Sequence, residues 1–198
     1  MEAIETIEYK GYTIEVHQDE DPTNPRDEFD NTGVMLCFHQ RYALGDKHSM
    51  SFDEAKAYLG RPDVLALPLM LYDHGSLSIS TRSFYGRVNH AEWDSGQVGW
   101  ITITKAQAVK EWGYKKFSKG VRDRALKCLE SEVEIYDQYL RGEVYGFNIK
   151  SPESENVNSC WGFYGDPEEY MVPECRGIID HRVVEKEAFE SNIAPVLM

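Results

Sequence analysis

The stretch that runs up to Gly142 constrains the fold most. Ala125, Leu126, Leu129, Val133, Tyr136 and Leu140 recur three or four residues apart, while Glu130, Glu134 and Asp137 share the opposite side. That spacing is the period of an α-helix with one apolar stripe. A helix starting at Ser118 or Lys119 and ending before Gly142 is therefore predicted, and its stripe has to lie on a sheet to leave water.

The rest of the chain supplies the strands. Glu5 to Tyr9 and Tyr12 to His17 alternate apolar and polar residues around Lys10-Gly11, the signature of a hairpin. Gly33 to His39 reads as a strand covered on both faces and central in its sheet. Val64 to Tyr72 is extended, with Pro68 marking an edge or a bulge; Asp73-His74-Gly75 turns it into Leu77 to Thr81. Gln97 to Ile103 is a further strand, and Glu143 to Ile149 with Cys160 to Tyr164 predicts a third hairpin. Ser51 with Glu54 and Thr104 with Gln107 have capping-box spacing, which opens short helices that Gly60 and Gly113 close. Asp166-Pro167 opens another helix.

Hairpins interspersed with three or four helices, without regular βαβ alternation, define an α+β class with a mostly antiparallel sheet. We expect one domain over residues 1–198, with an acidic loop at 18–32, rich in Asp and Pro, and a flexible tail over about 184–198.

Charge narrows the function. The chain has 198 residues and a formal charge of −13, divided as −8 over 1–32, +5 over 33–129 and −10 over 130–198. Such a balance disfavours generic duplex-DNA binding. Lys105 to Lys127 nevertheless gathers basic side chains that suit RNA or an acidic partner. The longest apolar run, Val64 to Leu71, is broken by Pro68 and too short to span a bilayer, and the N-terminal residues lack a secretory signal. A cytoplasmic protein without membrane contact is expected. The four cysteines form no C-x-x-C pair and the histidines lack i, i+4 spacing, so neither a metal nor another cofactor is expected.

Three clusters invite a catalytic reading. Cys37 and His39 share a strand face, but Met35, Leu36 and Phe38 around them point to a structural role. Asp73, His74 and Ser76 are too close in sequence to form a triad and read as a turn. Trp93 to Trp100 and Trp161 to Gly165 combine glycine with tryptophan, which suits backbones in close approach. No nucleophile elbow or phosphate-cradling loop occurs.

The segments Asp30-Asn31-Thr32-Gly33-Val34-Met35, His39-x-Arg41-Tyr42-x-Leu44-Gly45-Asp46, Trp93 to Gly99, Glu134-x-Tyr136 to Leu140 and Ser159 to Tyr164 together resemble a family of uncharacterised small acidic proteins encoded by bacteriophages and other mobile elements. The resemblance covers roughly residues 30–165 and brings no catalytic residue with it. It implies an accessory protein made inside an infected bacterium.

Two functions follow as expectations. In the first, a non-enzymatic protein blocks a host factor, such as a nucleic-acid-handling defence complex. It would do so through a DNA-mimicking face of Glu130, Glu134 and Asp137, extended by Asp19, Glu20, Asp21, Asp27, Glu28 and Asp30. Acidity serving only solubility is the plain alternative. In the second, an enzyme or nucleotide-binding protein gathers His39, Arg41, Asp46, Asp94 and Gln97 in a cleft between the 37–48 and 93–99 segments.

Overall fold

A computed structural model of the chain describes residues 2–193. It is of the α+β class, with two antiparallel four-stranded sheets, and it divides into two compact units. One unit is formed by the two ends of the chain, up to Pro22 and from Gly142 onward; the other runs from Thr23 to Arg141.

In the unit formed by the chain ends, β1 (Glu5–Tyr9) and β2 (Tyr12–Gln18) pair through a two-residue turn. Lys10 and Gly11 both adopt positive φ, 50° and 80°, which gives the turn a twist that matches the strands. Two later strands, labelled β7 (Val144–Lys150) and β8 (Asn156–Tyr164) in chain order, complete the order β1-β2-β7-β8. The period-two pattern then sends Ile14, Val16, Phe147 and Ile149 to one face, where they bury Met171, Cys175 and Ile179 of the last helix, α6 (Met171–Ile193).

Gly146 stands between His17 on one neighbour and Trp161 on the other, and a Cβ there would sit 2.2 Å from the Trp161 ring. The indole lies across the glycine, 5.9 Å from the His17 ring. That is the structural use expected of the second glycine–tryptophan segment.

Two expectations need correction here. Asp166 to Tyr170 is a turn in which Asp166 accepts from the Glu168 N–H, and the helix itself starts at Met171. Residues 184–193 belong to α6 rather than to a tail, because the helix continues past its buried half; 194–198 lie outside the described residues.

The other unit, here called inner because it lies between the two ends in sequence, begins inside the expected acidic loop. Asn24 caps a single turn of helix, α1 (Pro25–Glu28), where two prolines and four Asp predicted only coil. Then follow β3 (Val34–Cys37), α2 (Phe52–Leu59), β4 (Val64–Asp73), β5 (Leu77–Ser80), α3 (Ala91–Asp94), β6 (Ser95–Thr104), α4 (Lys105–Glu111) and α5 (Lys119–Arg141). Both capping boxes form, Ser51 with Glu54 and Thr104 with Gln107. The sheet order is β3-β6-β4-β5. Val121, Ala125, Leu129, Val133 and Tyr136 of α5 pack on Met35, Leu69, Ile79, Ile101 and Ile103, so the predicted stripe covers the predicted strands.

β3 is an edge strand, not a central one. Its apolar run misled because Met35 and Leu36 are both buried although only β6 pairs with the strand. A loop covers the open side instead: the Met35 N–H donates to the Asp46 carboxylate at 2.8 Å, and the Asp46 N–H donates to the Met35 carbonyl at 2.9 Å. β4 is interior, yet Pro68 lies where β6 is its sole neighbour, since β5 pairs only with Met70 to Asp73. The expected irregularity follows at once, as a register shift between Leu69 and Met70.

Candidate functional site

The most deeply placed charge in the inner unit is Arg26, whose side chain is 1% exposed. Its Nε and Nη2 donate to the two oxygens of Asp46 at 2.8 Å each, Nη1 donates to Glu132 and Asn31, and Nη2 also reaches the Gly33 carbonyl. Glu132 in turn accepts from the Thr32 and Gly33 N–H groups. All five guanidinium-directed bonds end inside the protein, so Arg26 works as a clamp on α1, β3, the 45–46 loop and α5. The clamp takes Asp46 out of the cleft proposed for it.

Sequence reasoning missed Arg26 and Glu132. The available signals were a lone base among the carboxylates of 18–32, and a glutamate three residues from Leu129 on the stripe side of α5.

The carboxylates expected to form one face are spread out. Asp19, Glu20 and Asp21 belong to the unit of the chain ends. In the inner unit, Asp27, Glu28 and Asp30 are exposed beside α1, where Asp27 bonds Asn24 and lies 3.8 Å from Lys47. Glu130, Glu134 and Asp137 are on the β5 flank of α5, whereas Glu132 of the same helix serves the β3 side. Asp137 is structural, accepting from the Ser78 hydroxyl and the Ile79 N–H at 2.7 Å and so closing the open edge of β5.

Glu130 and Glu134 are exposed and have no ion-pair partner among the described residues. They line one wall of an open groove of about 640 Å³, with Arg82 and Arg87 of the β5–α3 loop also lining it. Successive carboxylates on this wall are one helical turn, about 6 Å, apart.

A second hollow, of about 390 Å³, does gather residues from the separated segments expected to form a cleft: His39, Asp94 and Gln97 line it together with Asp73 and Trp93. The short helix α3 carries Trp93 out into solvent with 83% of its surface exposed. His39 Nδ1 accepts from the Arg41 and Tyr42 N–H groups, and its ring stacks on Tyr42 at 5.0 Å. The neutral ring therefore carries its proton on Nε2.

Asp73 accepts from the Tyr42 hydroxyl at 2.9 Å, and this bond pushes the tyrosine pKa up. Arg41, also expected in the cleft, is not among its lining residues; it lies 3.9 Å from Asp73 and over the Tyr42 ring. Asp94 is bonded to His74 Nδ1 at 2.7 Å. Trp93 belongs to the 93–99 segment expected to form a wall, whereas Asp73 was missed because the β4–β5 hairpin brings it there from the turn.

The basic stretch is displayed as expected: Lys110, Lys115, Lys116, Lys119, Arg122, Arg124 and Lys127 are all exposed. Lys105 and Arg124 lie over Phe117 and Trp112, at 5.3 and 5.1 Å. Among the described residues, no helix is long and apolar enough to cross a membrane, and no group of three candidate ligand side chains gathers for a metal.

The thiols are insulated unequally. Burial pushes Cys37 and Cys175 up to about 12, whereas Cys160 is exposed. Cys37 is thus unfit as a nucleophile beside His39. Iodoacetamide near pH ~8 is expected to alkylate Cys160 in the folded protein and spare Cys37 and Cys175, as peptide mass mapping will show. The folded thiols hold protons to about 12, but unfolded ones release them near 9.0, so stability is expected to decline as pH rises through that window.

Fold and surface together define an α+β protein whose inner unit presents a charged groove and a tryptophan-walled cleft. Comparison with protein-family models, curated proteins and solved structures finds no match.

Proposed function

We propose that the protein is a non-catalytic accessory protein of a phage or another mobile element, acting in the cytoplasm of a bacterial host by binding and inhibiting a host factor. The partner's surface is basic, of the kind that a nucleic-acid-handling defence complex turns toward DNA. The observation that carries this reading is the pair Glu130 and Glu134: exposed, unpaired among the described residues and spaced one helical turn apart on the wall of an open groove. That spacing of about 6 Å is close to the separation of phosphates along a strand. The Lys–Arg groove of a DNA-binding partner gains two charge-assisted contacts there without dismantling an existing ion pair. Asp27, Glu28 and Asp30 add a separate acidic area at the β3 side of the same unit.

The test is capture of host proteins by immobilised protein after nuclease treatment. The double variant Glu130→Gln, Glu134→Gln is expected to weaken capture about tenfold, and salt raised from ~50 to ~300 mM to weaken it for the wild type. Capture indifferent to both changes overturns the reading.

A further inference from the structure

The cleft beside Trp93 has a chemical bias that the groove reading does not use. Asp94 Oδ2 is taken by His74 and Asp73 Oδ2 by Tyr42, while the Oδ1 atom of each has no hydrogen-bond partner among the described residues. Gln97 donates its amide to the Gly99 carbonyl at 3.1 Å, which leaves its Oε1 as an acceptor. Three residues with an unused acceptor, two of them anionic, thus line a hollow of about 390 Å³ together with Trp93, which is 83% exposed. Opposed to them are the imidazole donor His39 Nε2–H and, outside the lining, the exposed Arg41, whose Nη1 is 3.9 Å from Asp73 Oδ2 and leaves both Oδ1 atoms open.

A site rich in acceptors and negative charge wants a ligand rich in donors and positive charge. A flat indole face beside it selects a planar cation, and guanidinium is the planar cation of polypeptides, able to stack on the ring while forking onto a carboxylate. We infer that this cleft is a receptor for an arginine side chain of the partner protein. The inference rests on the proposed function only for the source of that arginine; the cleft itself shares no residue with the groove of Glu130 and Glu134.

The probe is the blocked tripeptide acetyl-Gly-Arg-Gly-amide, titrated while tryptophan emission is followed. Its counterpart contains citrulline, which keeps the shape and loses the charge. The arginine peptide is expected to give a saturable change, with the citrulline peptide about tenfold weaker or silent. Asp94→Asn is expected to weaken the arginine peptide several-fold, and Trp93→Phe to remove the emission change while retaining binding by calorimetry.

Trp93→Ala, at an exposed position that folding does not depend on, is expected to abolish binding in calorimetry too. Equal response to both peptides, saturation by methyl glucoside in place of arginine, or no saturable response overturns the proposal. Glu130→Gln with Glu134→Gln is expected to leave the peptide titration unchanged. Loss of host-protein capture in that variant and loss of peptide binding in Trp93→Ala therefore report on two different surfaces, and either claim can fail alone.

Discussion

Arg26→Met is expected to cost about 3–5 kcal/mol of unfolding free energy, because it strands two carboxylates that the guanidinium neutralises. Glu132 and Asp46 are 11% and 21% exposed at their side chains, so water replaces little of what the arginine supplies. The loss is larger than a surface ion pair would give, commonly below about 1 kcal/mol, and that difference decides whether the network is structural. Urea unfolding followed through tryptophan emission measures it.

The triple variant Arg26→Met, Asp46→Asn, Glu132→Gln is expected to be more stable than Arg26→Met alone. It removes the unpaired charges, yet its amide oxygens still accept from Met35, Thr32 and Gly33. A loss for Arg26→Met below about 1 kcal/mol would contradict the clamp.

Gly99→Ala is expected to be as damaging through pure sterics. A Cβ at this position would lie 1.8 Å from the Leu36 carbonyl oxygen and 2.9 Å from its carbon, and backbone cannot rotate out of the way as a side chain can. The cheapest relief is for β3 to leave β6, which takes with it the burial of Met35 and Leu36 and the Asp46 contacts. A loss of at least about 3 kcal/mol follows, in the range of overpacked cores.

Gly96→Ala, three residues earlier on the same strand, has nothing within 4 Å of the new carbon and is expected to stay within about 0.5 kcal/mol of wild type. Similar melting of the two variants would falsify the close-approach account. The contrast also separates two glycines of Trp93 to Trp100, which sequence alone treats alike.

Local patterns were legible wherever one physical rule governs a short stretch. The α5 stripe, the Lys10-Gly11 turn, the two capping boxes and the irregularity near Pro68 all follow from spacing, positive φ or a missing donor, and all are present. The errors arose where a neighbour distant in sequence intervenes. β3 reads as central because two successive buried residues imply two covered faces, and only the fold reveals that a loop, not a strand, satisfies its outer edge.

The candidate site divides in the same way. His39, Asp94 and Gln97 do meet, since strand ends and loops of one sheet converge, but Asp46 is drawn off by an arginine that no local pattern singles out. Glu130, Glu134 and Asp137 share a helix side as their spacing requires; that one of them is spent on the edge of β5 is a consequence of pairing order.

What the sequence determined by itself is therefore the α+β class, the positions of most elements and which helix face turns inward, because these depend on periodicity and backbone chemistry within about twenty residues. What only the tertiary structure decided is which charges are used up. An ion pair between Arg26 and Glu132 spans 106 positions, and whether a carboxylate is a clamp, an edge cap or an open acceptor depends on what the fold places beside it.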